Sequence, residues 1–178
     1  MSRPKCAAEV KLFVSIIFSK REVLAEALTM LTAQYGETDF ISPAAPFLYT
    51  DYYVREMGFP LERFFASFTA LVRPESLPDV KLWTNDMEKM FLTSGGRKLN
   101  IDPGYLAKGH LILATGKEYA HRPYLRDGIF ADLTLLYKDK SFQALPWTYP
   151  DYGEEATRGM FKRIREKYLL QLREGGID

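Results

Sequence analysis

The sequence predicts a single α+β domain, residues 1–178, built on a predominantly antiparallel sheet. Three observations lead there. The apolar run "VKLFVSIIF" (10–18) is hydrophobic at both alternating sets of positions, the mark of a strand covered on both faces. The elements that follow read β-α-β-β-α-β, the order of a ferredoxin-like split βαβ unit, and then a β-meander and a last helix. At 178 residues, 47% hydrophobic and 26% charged, the chain is long and apolar enough to bury a full core without disulfides or metals.

After the strand at 10–18, Ser19 stands three residues before Glu22, the spacing of a capping box. Leu24, Ala27, Leu28, Leu31 and Tyr35 then form one helical face, and Gly36 ends the helix. "DFISPAAPFLYT" (39–50) reads as a strand that Pro43 and Pro46 confine to an edge or a bulge. "TDYYVREMG" suits a short helical turn capped by Thr50 or Asp51. "RFFASFTALV" (63–72) is the next strand. Val80, Trp83, Thr84, Met87 and Phe91 stripe a second helix over about 77–92, closed by "TSGG".

From there the spacing predicts successive strands in "RKLNI", "HLILAT", "EYAHRPYL", "IFADLTLLY" and "SFQAL". Asp127-Gly128 carries a tight-hairpin signal, and Asp139-Lys140 suits another turn. Pro103-Gly104 in "NIDPGYL" has the chemistry of a turn. The last helix should run from about 153 to 174, with Thr157, Phe161, Ile164, Tyr168 and Leu172 inward and Asp151 as its cap.

Composition narrows function. Lys and Arg total 24 against 23 Asp and Glu, so a net charge of +1 gives no general pull toward nucleic acid or anionic membrane. No segment has the roughly 18 apolar residues needed to span a bilayer. One cysteine, Cys6, allows no internal disulfide, which suits a reducing cytoplasm. Two histidines and one cysteine argue against a zinc centre, and there is no G-x-S-x-G nucleophile elbow. His110, beside an apolar strand, reads as structural.

"VKLFVSIIFS", "TDYYVREMG", "NIDPGYL", "HRPYL" and "LPWTYPDY", in this order over nearly the whole chain, resemble the bacterial family known as domain of unknown function 4416. Its members are often labelled "GTP-binding protein", and the resemblance implies no established activity or catalytic residue. The residues do not support the GTP label. A P-loop needs G-x-x-x-x-G-K-[ST]. Gly116-Lys117 is the only Gly-Lys pair, with Leu111 where the first glycine belongs and Glu118 where the hydroxyl belongs. Neither D-x-x-G nor N-K-x-D occurs.

Three segments join a carboxylate to aromatics at an element boundary, where scaffolds present functional groups. They supply Asp51 and Tyr52 in "YTDYY", Asp102 and Tyr105 in "IDPGY", and Trp147, Tyr149 and Asp151 in "LPWTYPDY". His121 and Arg122 complete the candidate set. Each has a plain structural reading as well: Asp51 and Asp151 as helix caps, Asp102 as a turn acceptor, the aromatics as core. If the three aspartates converge, the pocket suits a small molecule, phosphorylated or nucleotide-like, or Mg²⁺ held against a phosphorylated ligand. If they scatter and leave a flat aromatic patch, a protein-interaction module is the better reading. RNA binding has only the βαββαβ order in its favour, with no RNP1 pattern. No cofactor is specified.

Overall fold

The computed structural model describes residues 3–50, 52–94 and 96–176. Its central strand is β1 (Val10–Phe18), buried at every position. β1 lies between β4 (Glu62–Val72) and β7 (Leu99–Leu106), antiparallel to both. β2 (Thr38–Ile41) and the two-residue β3 (Ala45–Pro46) pair on the outer side of β4. The order β7-β1-β4-β2 is the split βαβ arrangement. The meander extends the sheet from β7 through β8 (His110–Thr115) and β10 (Ile129–Lys138) to β11 (Ser141–Ala144), and β9 (Tyr124–Arg126) also pairs with β10. Leu92–Thr93 and Gly96–Arg97 form a separate small hairpin, β5–β6.

Helices cover both faces. α1 (Arg21–Tyr35) and α3 (Leu77–Met90) pack Leu24, Ala27, Leu31, Val80 and Met87 against Leu12, Val14, Ile16 and Phe18 of β1. On the opposite face α5 (Glu155–Glu174) packs Phe161, Ile164, Tyr168 and Leu172 around Phe13. Farther along that face, Ile17 meets Phe47, Leu61 and Met57 of the short α2 (Val54–Met57). Strand alternation thus puts Phe13 and Ile17 in two separate apolar clusters, with the fully buried Ser15 between them. At the strand's start Lys11 is also fully buried; its Nζ donates to Asp39 Oδ2 and to the Phe68 carbonyl, both at 2.8 Å.

Several local expectations need correction. Pro103-Gly104 is not a turn: β7 runs straight through it, with Val14 opposite Pro103 and Phe13 opposite Gly104. The Phe13 ring occupies the space a side chain at 104 would fill. Ser19 does not cap α1, whose N-cap is Lys20 without a side-chain bond. Tyr53, rather than Thr50, stands at the N-cap of α2, and Asp51 lies outside the described residues. "EYAHRPYL" is a strand only at 124–126, since a proline at 123 removes a ladder donor. The stretch at 150–153 forms its own helical turn, α4 (Pro150–Gly153), and Glu154 is the N-cap of α5. The hairpin signals are met: Asp127, Gly128, Asp139 and Lys140 all have φ between 51° and 77°.

Candidate functional site

The site begins with a gap in the sheet. β7 and β8 are paired only from Gly104↔Leu113 to Leu106↔Leu111. Beyond Leu113, β8 stays with β10, and the first half of β7 loses its neighbour. The orphaned edge is satisfied from α3. Lys81 Nζ donates to the Ile101 carbonyl at 2.8 Å, and Ile101 N–H donates to Glu88 Oε1 at 2.6 Å. Residue 103, next on that edge, is a proline and has no N–H to satisfy. The strands therefore part without leaving these Ile101 groups unpaired.

A cavity of about 730 Å³ opens beside this gap. Its deep lining is polar and buried: Asn100, Asp132, Asp151, Tyr152, Lys81 and Glu88. Its outer lining is exposed, with Tyr49, Tyr52 and Tyr149 as an aromatic rim and Lys117 above the Tyr52 ring, 4.9 Å from its centroid.

Most of the cavity's charges come as pairs. Arg63 on β4 meets Asp151, and its guanidinium lies 4.5 Å from the Phe47 centroid. Lys81 meets Asp102 Oδ1 at 3.4 Å, while Asn100 Nδ2 donates to Asp102 Oδ2 at 2.8 Å. Arg97 joins Glu88 at 2.8 Å and Glu56 at 3.0 Å. Asp132 accepts from Arg122 Nε at 2.8 Å. Burial raises the Asp151 and Glu88 carboxyls above the usual carboxylate range, with Arg63 and Lys81 respectively acting the other way. Burial likewise raises the Tyr152 phenol, with Arg63 and the neighbouring Ser15 hydroxyl acting the other way. Tyr49 is pushed up to about 12, chiefly by its hydrogen bond to Glu154.

The three acidic-aromatic segments do meet. Tyr52, Asp102, Tyr149 and Asp151 all line this cavity. Asp151 does not cap α5, whose N-cap is Glu154; its carboxylate meets Arg63 and the backbone N–H groups of residues 151 and 152. Tyr105 is on the other face, three strand positions from Asp102, packed near Leu77, Ala114 and Ile129. His110, also away from the cavity, is in edge contact with Tyr105.

His121, Arg122 and Trp147 stand behind the cavity wall. Arg122 holds Asp132 and donates to the Tyr149 hydroxyl at 2.9 Å. His121 stacks on Trp147, 4.8 Å between centroids, with Nε2 3.6 Å from Asp132 Oδ2. Trp147 is 39% exposed, and its indole N–H donates to the Leu133 carbonyl at 2.8 Å. Thr148 hydrogen-bonds the Thr134 carbonyl at 2.6 Å. "LPWTYPDY" is thus a strap pinned to β10 at its first half and a cavity wall at its second.

Sequence reasoning missed Arg63, Lys81, Glu88, Arg97, Lys117 and Asp132, all of which line the cavity. A lysine at an inward position of the α3 stripe was the one local signal. Among the described residues no three His, Cys, Asp or Glu side chains group as a metal site, and no helix is long and apolar enough to cross a membrane.

Residues 8–168 match the family described as "Domain of unknown function (DUF4416)". The chain belongs to this family. No curated protein and no solved structure matches the DUF4416 chain.

Proposed function

We propose that this DUF4416 protein binds a small phosphorylated or nucleotide-like ligand in the cavity beside the β7–β8 gap. The observation that carries the reading is the convergence of three distant acidic-aromatic segments on one concavity of about 730 Å³. That volume lies within the 300–1,000 Å³ range of ordinary ligand pockets. Tyrosine faces at the rim suit stacking on a planar or ring-shaped ligand, and the buried amide, carboxylate and hydroxyl groups suit hydrogen bonds that fix its orientation. The GTP label attached to the family has no P-loop behind it here, so nucleotide recognition would rest on this cavity instead. The exposed Cys6 fits a reducing cytoplasm.

The test is a thermal-shift screen of the purified protein against nucleotides, sugar phosphates, common cofactors and divalent metals. A ligand at about 100 times its Kd adds roughly 2.7 kcal/mol of stability. The expected hit loses its shift in Asp102→Ala and keeps it in a surface variant such as Lys89→Ala. A hit unaffected by changes at Asp102, Tyr149 and Asp151 would move the binding site elsewhere. A second reading, a protein-interaction face, draws on Leu48 and Phe59, which are 76% and 73% exposed on either side of α2. Loss of a co-purifying partner on changing these two residues, with no small-molecule shift, would favour it.

A further inference from the structure

The charges of the cavity are unevenly satisfied, and the imbalance specifies the ligand more closely. Its deep cations are all neutralised: Arg63 by Asp151, Lys81 by Asp102, and Arg97 by Glu88 and Glu56. Asp132, the remaining buried carboxylate, is neutralised by Arg122. Among the described residues Lys117 is the cavity cation with no carboxylate partner. It is exposed and sits at the rim over Tyr52. At the deep end the buried Tyr152 and Ser15 hydroxyls lie side by side, with the Arg63 guanidinium 5.5 Å from the Tyr152 ring centroid.

Resting on the ligand-binding reading above, we infer that the cavity takes a ligand with an uncharged polar ring and a single anionic group, ring inward, anion at Lys117. A second anionic group carried into the deep end would lose its hydration and meet cations that are already paired with carboxylates. A neutral ring pays no such penalty. It can hydrogen-bond to the unused lone pairs of the partly exposed Asp102 while its faces meet the tyrosines. One rim lysine matches one phosphate or carboxylate. It offers little for the further charges of a triphosphate.

Calorimetric titration of the full chain tests this with guanosine and adenosine, their 5′-monophosphates and 5′-triphosphates, and ribose 5-phosphate. At least one monophosphate should bind about tenfold tighter than its nucleoside, the scale of one charge-assisted hydrogen bond at an exposed position. That advantage should vanish in Lys117→Ala and shrink as salt rises, because the rim is open to screening. The triphosphate should gain less than about threefold over the monophosphate, since no second free cation awaits it. Asp102→Ala should weaken nucleoside and monophosphate equally, leaving their ratio intact. A triphosphate preferred tenfold over the monophosphate, or a monophosphate advantage that survives Lys117→Ala, overturns the inference while leaving the cavity a ligand site. Binding of nucleosides that no phosphate improves does the same. If none of these compounds binds at millimolar concentration, the nucleotide-like reading itself fails and the inference falls with it.

Discussion

Lys81 is the residue on which the parted strands depend, and Lys81→Met is the perturbation that isolates its charge. Methionine keeps an apolar stem of similar length and removes the ammonium. The Ile101 carbonyl then loses its 2.8 Å donor in a buried setting. An unsatisfied buried acceptor costs about 1–3 kcal/mol. Asp102 also loses its cation, but its side chain is 31% exposed and keeps the Asn100 bond. Solvent screening limits that second loss to about 0.5–1 kcal/mol. The sum is roughly 2–4 kcal/mol, and for a chain of this size each kcal/mol lowers Tm by about 2–4 °C. Urea denaturation followed by circular dichroism should show a lower midpoint with an unchanged slope. Lys89→Met on the same helix is the control, because the Lys89–Asp86 pair is exposed at both ends. That change should cost under about 0.5 kcal/mol. If Lys81→Met is no worse than Lys89→Met, the ammonium is not what satisfies the edge of β7, and the account of the gap is wrong.

Gly104→Ala should destabilise by about 1–3 kcal/mol or more through overpacking, because the added carbon would lie 2.7 and 2.9 Å from Phe13 ring atoms and closer still to the Ile112 carbonyl. Denaturation of the variant checks this; a loss below 0.5 kcal/mol would mean the strands can separate freely there. Trp147→Ala should cost roughly 2 kcal/mol, less than the 3–5 of a fully buried Trp, since 39% of the residue faces solvent. A larger loss would make it a core residue after all. Burial raises the Glu88 carboxyl above its ordinary 4.5, so its contribution to stability is full below that value and is lost as pH rises through the raised one. Wild type should therefore lose stability relative to Glu88→Gln as pH climbs from 4 to 7; a difference that moves the other way would show Arg97 dominating burial.

Local pattern was enough wherever the physics is local. The double-sided run at 10–18 required cover on both faces and has it, and the helices at 21–35, 77–90 and 155–174 follow their apolar stripes. The left-handed turns at Asp127-Gly128 and Asp139-Lys140 follow from residue type. The acidic-aromatic segments were visible as segments, because aromatics beside a carboxylate at element boundaries stand out in one dimension.

Tertiary structure decided the rest. Whether Pro103-Gly104 turns or runs straight depends on Phe13 filling the space above Gly104 and on β8 ending its pairing with β7 there, and both are set by residues distant in the chain. That straight run puts Tyr105 and Asp102 on opposite faces and removes Tyr105 from the cavity. Asp151 meets Arg63 rather than capping α5 because β4 brings a buried guanidinium within reach. Nothing near Arg63, Arg97 or Asp132 in sequence announces the partner that each one neutralises. A charge is legible as a residue type, but whether it is spent in a pair or left to meet a ligand is fixed only when strands and helices far apart in sequence are packed together.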